Sequence, residues 1–155
     1  MAAESWTASF DFMEAGRRLR RFSIIERSLF ELVGQWVQPE RDVAAKLQFG
    51  EQCYRHVRHA EMLEGLLPTP SGQYPLAYAD PTQLFPLADA ETAADSDSRL
   101  RALYRGILPP LHAEYAAHLD RTNPITDAPT MRVLRLVLGD LETDLAAGAA
   151  LMRAA

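Results

Sequence analysis

Cysteine is nearly absent: Cys53 stands alone among the 155 residues. No intrachain disulfide can form, and a reducing cytoplasm is the compartment that fits such usage. A lone cysteine inside a helical pattern reads as a small apolar packing residue. Long apolar runs are missing too. None approaches the ~20 residues that span a bilayer, so no membrane segment is expected. The first residues carry no apolar stretch after a basic one, which does not read as a secretory signal. Basic charge is also in deficit, with 16 Lys and Arg against 21 Asp and Glu and a formal charge of -5. Nucleic acid demands a basic face, so no nucleic-acid partner is expected. The run Arg17, Arg18, Arg20, Arg21 lies beside acidic neighbours and reads as a solvated helix face. Finally, there is no run of alternating apolar residues bounded like a sheet strand.

What is present is a helical period in four segments. Hydrophobic residues make up 48% of the chain, enough for a core, and the length predicts one domain over 1–155. The first helix is expected over about 11–37, with Phe22, Leu29, Val33 and Trp36 on one stripe. Gln38-Pro39-Glu40 makes a turn, with Pro39 suited to the first position of the second helix, which runs to about Leu67. From about 67 to 95 the pattern dissolves, because Pro68, Pro70, Pro75, Pro81 and Pro86 exclude a regular helix. So long a break needs a reason. A crossover between the ends of a bundle supplies one, with Tyr74, Tyr78 and Phe85 as anchors, and it can double as a lid. The third helix starts at the caps near Asp95–Ser98 and runs to about Leu119, bent at Pro109-Pro110. The fourth starts near Pro129, with Leu134, Val137, Leu141 and Leu151 on its stripe. Gly148 falls on that stripe and would admit a close neighbour. This is an all-α four-helix bundle of two antiparallel pairs joined by one long crossover between helices 2 and 3.

The informative feature is where the stripes are interrupted. The first helix reads Phe22, Glu26, Leu29, Val33, Trp36. The second reads Phe49, Gln52, His56, His59, Leu63, Leu66. The third reads Tyr104, Ile107, Leu111, Glu114, His118, and the fourth Leu134, Val137, Leu141, Asp144, Gly148, Leu151. Each helix thus places an ionisable group among its core positions. Such groups must be paired, hydrogen-bonded or metal-bound, because an isolated buried charge costs several kcal/mol. Thirty positions separate Glu26 from His56, and thirty separate Glu114 from Asp144. In two similar hairpins these four fall at comparable heights. Each has a plainer reading as well. Glu26 can pair at the stripe edge, Glu114 and His118 can be an ordinary i, i+4 pair, and Asp144 can be exposed. His112 is expected to face out, and Asp140 and Glu142 to lie on the solvated face of the fourth helix.

Glu26 on one helix and His56-x-x-His59 within Tyr54-Arg-His-Val-Arg-His-Ala-Glu61 resemble the first half of ferritin-like di-iron proteins. Thr122-Asn-Pro-Ile-Thr-Asp-Ala-Pro-Thr130, with Arg132, Leu134 and the Gly-Asp-Leu-Glu-Thr-Asp run to Asp144, resembles the last turn and helix of bacterial ferritin-like domain proteins. The resemblance covers about 15–67 and 98–152. It implies a site of single glutamates on two helices and Glu-x-x-His on the other two. Glu26 and Glu114 match the single glutamates and His59 matches the first His. His56 stands where Glu is expected, and Leu141-x-x-Asp144 replaces the second motif. The metal candidates are therefore Glu26, His56, His59, Glu114 and Asp144, with His118 as an extra ligand.

Two imidazoles and a carboxylate are the ligand set of non-haem iron oxygenases. The expected function is a non-haem iron oxidoreductase or oxygenase with an altered centre of one or two ions, acting on a small organic molecule. The alternative is a metal-free bundle that binds a small molecule or partner, or performs acid–base chemistry, in the former site. A third reading is a scaffold that docks with its own copy as a homodimer.

Overall fold

The computed structural model describes residues 9–67 and 87–154, and its regular elements there are all helical. Helix α1 spans Phe12–Val37 and α2 spans Val43–Gly65. A short α3, Ala88–Glu91, precedes α4, Ser96–Arg101. A π-helical segment, Ala102–Ile107, leads directly into α5, Leu108–Asp120, and α6 spans Ala128–Ala154. Helix α1 lies along α2, α5 along α6, and α2 along α6. The bundle of two helical hairpins is as expected. The connection between them at 68–86, with Tyr74, Tyr78, Phe85 and the proposed lid, lies outside the described residues.

Side chains from the sequence start the helices. Asp11 accepts the Glu14 N–H at 2.8 Å, and Glu14 then pairs with Arg17 and Arg18 one turn on. Asp95 and Ser98 cap α4 reciprocally, at 2.7 and 3.2 Å. Helix α2 begins later than Pro39 suggests. The buried Glu40 carboxylate takes the N–H groups of Arg41 and Asp42 at 2.8 and 3.1 Å, holding those residues out of the helix. Asp42 then caps it by accepting from Ala45 at 2.7 Å. Glu40 also accepts from Ser96 and from Arg99, tying the α1–α2 turn to the start of α4.

The core runs between the four long elements through Phe22, Leu29, Val33, Phe49, Leu63, Leu103, Leu111, Leu134 and Leu141. At Pro109-Pro110 the helix responds by widening rather than merely bending. Neither proline can donate a hydrogen bond, and each ring crowds the carbonyl four residues back. The preceding turn becomes π-helical, with Leu108 N–H bonded to Leu103 O. Tyr104 leaves this segment, fills the space over Gly148 of α6, and donates its hydroxyl to Gln52 Oε1 at 2.7 Å. No helix among the described residues is long and apolar enough to cross a membrane.

Candidate metal centre

Three of the interrupting residues meet in the core. Glu26 from α1 and His56 and His59 from α2 are buried. One ligand atom from each lies within 4.8 Å of the others. Glu26 Oε2 is 2.6 Å from His56 Nδ1 and 3.3 Å from His59 Nδ1. The spacing explains the convergence: His56 and His59 are one helical turn apart on the face of α2 that packs on α1, so both rings reach one carboxylate. The two rings stand nearly perpendicular, 88° apart.

Two further groups complete the arrangement, and the sequence reading missed both. Tyr115 donates its hydroxyl to Glu26 Oε1 at 2.7 Å, and its ring stacks on Phe22 at 4.2 Å between centroids. Asp140 Oδ2 lies 3.0 Å from His59 Nε2. Asp140 was expected on the solvated face. It is half-buried at the edge of the α6 stripe, three positions after Val137, close enough to orient His59.

Burial alone would raise the Glu26 carboxyl. The charge of His56 and the hydrogen bonds from both histidines outweigh it and hold the carboxyl at about 2. Burial disfavours the charged form of His59, but its bonds to Glu26 and Asp140 win and raise its pKa above the ordinary value. The cluster is a charged carboxylate held by imidazoles in a buried core.

The second-half candidates do not join this cluster. Glu114 was expected inward or paired with His118, but it pairs with Arg21 at the partly exposed edge of the bundle. From Leu111 a step of three reaches Glu114 and a step of four reaches Tyr115, and the helix buries the second. The tyrosine ring has an apolar body to pack, whereas Glu114 finds a guanidinium near water. Asp144 is buried rather than exposed, yet it pairs with Arg55 and accepts from Gln48 at 3.0 Å. Burial raises the Asp144 carboxyl despite Arg55 and His56 nearby. The thirty-residue parity therefore holds for Glu26–His56 and fails for Glu114–Asp144. His112 is half-buried beside Glu142, at 3.4 Å.

His118 is also separate from the cluster. It is 1% exposed, and neither ring nitrogen has a hydrogen-bond partner among the described residues. Burial pushes its imidazole down to about 4, with the Arg18 charge adding to the effect. Unfolded, it titrates near 6.5. Between those values the unfolded chain binds a proton that the folded one refuses, so stability falls as pH drops from about 6.5 to about 4. The loss should be about 2 kcal/mol, after allowing for partial screening by solvent. Glu26, about 2 when folded and 4.5 when unfolded, adds to the loss only at the acid end of this window, and His59 acts above it. Denaturant titrations at pH 7 and pH 5 should show the loss in wild type and most of it removed in His118→Leu. Equal losses in both would place the acid lability elsewhere.

The class defined by these features is a ferritin-like four-helix bundle with a Glu-His-His cluster in its core that could hold a metal ion. No family model matches the sequence, and no match is found among curated proteins. A solved structure from Anabaena variabilis, a two-domain protein containing DJ-1/ThiJ/PfpI-like and ferritin-like domains, is similar at 21% identity. Its TM-score is 0.70, covering 99% of this chain, and this chain spans 41% of that protein's length. The likeness shows the ferritin-like fold.

Proposed function

We propose that the chain is a single ferritin-like domain that works as a non-haem iron oxidoreductase on a small organic molecule. The supporting observation is that Glu26, His56 and His59 each bring one ligand atom within 4.8 Å of the others in a buried core. The donor set fits: two neutral imidazoles and one carboxylate suit iron, and leave positions for other ligands. Bound iron would supply one-electron and dioxygen chemistry that side chains alone lack.

The protein's own part is positioning. Tyr115 holds Glu26 Oε1, which leaves Oε2 for the ion. His59 would ligate through Nδ1 while its Nε2–H donates to Asp140, fixing the tautomer. Loading must displace the protons that now link Glu26 to the imidazoles, so uptake releases protons and weakens in acid.

Asp140→Asn tests the arrangement without emptying the core. The carboxamide accepts more weakly from His59, so affinity for Fe(II) or Zn(II) should fall about 10–100-fold. Stability of the metal-free chain should change by no more than about 1 kcal/mol. Wild-type affinity in this variant would remove Asp140 from the centre.

A metal-free role has its own support, because the triad is already hydrogen-bonded within itself, at 2.6 Å between Glu26 and His56. Such a chain would bind a small molecule here, with Glu26 or a histidine as acid–base group.

A further inference from the structure

Helix α2 buries one side in the bundle and turns the other outward, away from His56 and His59. The outward ridge of such a helix is normally polar. Here its first half is apolar: Val43 is 70% exposed, and Leu47 and Tyr54 are each 65% exposed. Phe30 of α1, 38% exposed, extends the patch. The Cys53 thiol reaches the Phe30 carbonyl oxygen at 3.5 Å, which sets Phe30 level with Tyr54. A single exposed apolar residue needs no account, but a cluster on adjoining turns marks an interaction surface. We propose that this face of α1 and α2 is the interface of a homodimer, in which a second copy docks antiparallel about a two-fold axis near Gly50.

The charges around the patch identify the occupant. Most are already paired within the chain: Arg27 with Glu64 at 2.7 Å, Arg58 with Glu61 at 2.5 Å, and Arg55 with Glu51 and Asp144. Arg41 lies beyond the patch, in the α1–α2 turn. The side chains of Glu31 and Lys46 form no ion pair or hydrogen bond with the described residues. Glu31 follows Phe30 and stands near the Tyr54 end of the patch, whereas Lys46 stands near the Val43 end, about 10 Å away along the helix direction. One unpaired charge of each sign therefore marks each end. A partner of uniform charge would match one of them and repel the other. A second copy turned about the two-fold axis sets its Lys46 against Glu31 and its Glu31 against Lys46. Val43 and Leu47 of each copy then cover Phe30 and Tyr54 of the other. A two-fold interface requires this kind of self-complementarity, with an aromatic, charge-poor centre and a polar rim.

The experiment is sedimentation equilibrium of the full chain in chelator, with helix content followed by circular dichroism. Wild type is expected as a dimer at micromolar concentration. Leu47→Glu places a charge at an exposed position, so the chain should fold as before while the dimer weakens at least about 100-fold. Glu31→Lys should weaken the dimer about tenfold, because two rim pairs are lost and like charges meet, and so should Lys46→Glu. Glu31→Lys combined with Lys46→Glu should return the dissociation constant to within about threefold of wild type, which requires that the two positions face each other across the interface. A wild type that stays monomeric, a dimer that survives Leu47→Glu, or a double variant no tighter than the single ones would each overturn the proposal. Loss of helix in Leu47→Glu would show the face covered from within its own chain, and would overturn it too.

Discussion

Replacing Glu26 alone by Leu should destabilise the metal-free chain by about 3–5 kcal/mol, although leucine is the more hydrophobic residue. Glu26 accepts from His56, His59 and Tyr115, and all three are buried. Removing the carboxylate leaves a positive or unpaired imidazole pair and a phenol with no acceptor. Each orphaned group costs about 1–3 kcal/mol, more than the added apolar burial returns. The remedy is to remove the whole network. Glu26→Leu with His56→Leu, His59→Leu and Tyr115→Phe should be neutral or more stable than wild type, because the desolvation cost disappears with the charges. Tyr115 must be included, since its hydroxyl would otherwise be stranded. Asp140 is partly exposed and can turn to water. Urea titrations of the single and quadruple variants, in chelator, give the comparison. A single variant as stable as wild type would mean that the network contributes nothing to the fold.

Gly148→Ala should cost about 3 kcal/mol or more, by a different route. A Cβ at this position would lie 2.6 Å from Tyr104 Cδ2 and closer still to Cγ and Cδ1. The ring cannot retreat cheaply, because Tyr104 is 3% exposed and its hydroxyl is bonded to Gln52. Either the π-helical segment shifts or α6 moves away, and both disturb close-packed core. At a few degrees per kcal/mol for a domain this size, the melting temperature should fall by about 10 °C. Gly16→Ala is the contrast: its Cβ meets nothing within 4 Å, and removing helical glycine should stabilise by about 0.5–1 kcal/mol. Equal melting temperatures for Gly148→Ala and wild type would show that Tyr104 does not occupy that space.

Much of this fold is written in its periodicity, and half of the site. The stripes through Phe22, Leu29 and Val33 and through Phe49 and Leu63 put Glu26, His56 and His59 at core positions, where the structure buries all three, although the sequence also allowed Glu26 a place at the stripe edge. Gly148 likewise marks a close approach. The second half was less legible for two physical reasons. A stripe that advances by three or four leaves a choice at each step, and at Leu111 that choice separates Glu114 from Tyr115. Local pairing then decides, through Arg21 for one and Phe22 for the other. Asp140 sits at a stripe edge, where helical phase cannot distinguish water from a neighbouring helix. Arg55 hides Asp144 by a similar long-range pairing, 89 residues apart in sequence. Pro39 misled because a buried carboxylate one residue later captured the N–H groups that the helix would have used.

The central claim is that Glu26, His56 and His59 take up a metal, and the direct measurement is a metal titration of chelator-treated wild-type chain under reducing, oxygen-free conditions. Cobalt(II) serves as the spectroscopic stand-in and iron(II) as the competitor. The triad predicts saturation near one ion per chain, visible-region bands of a mixed nitrogen–oxygen site, displacement by iron, and proton release on loading. The bands should vanish in His59→Gln. A chain that stays spectroscopically silent and binds no ion at any added concentration would contradict the metal centre and leave the self-bonded triad as a metal-free core.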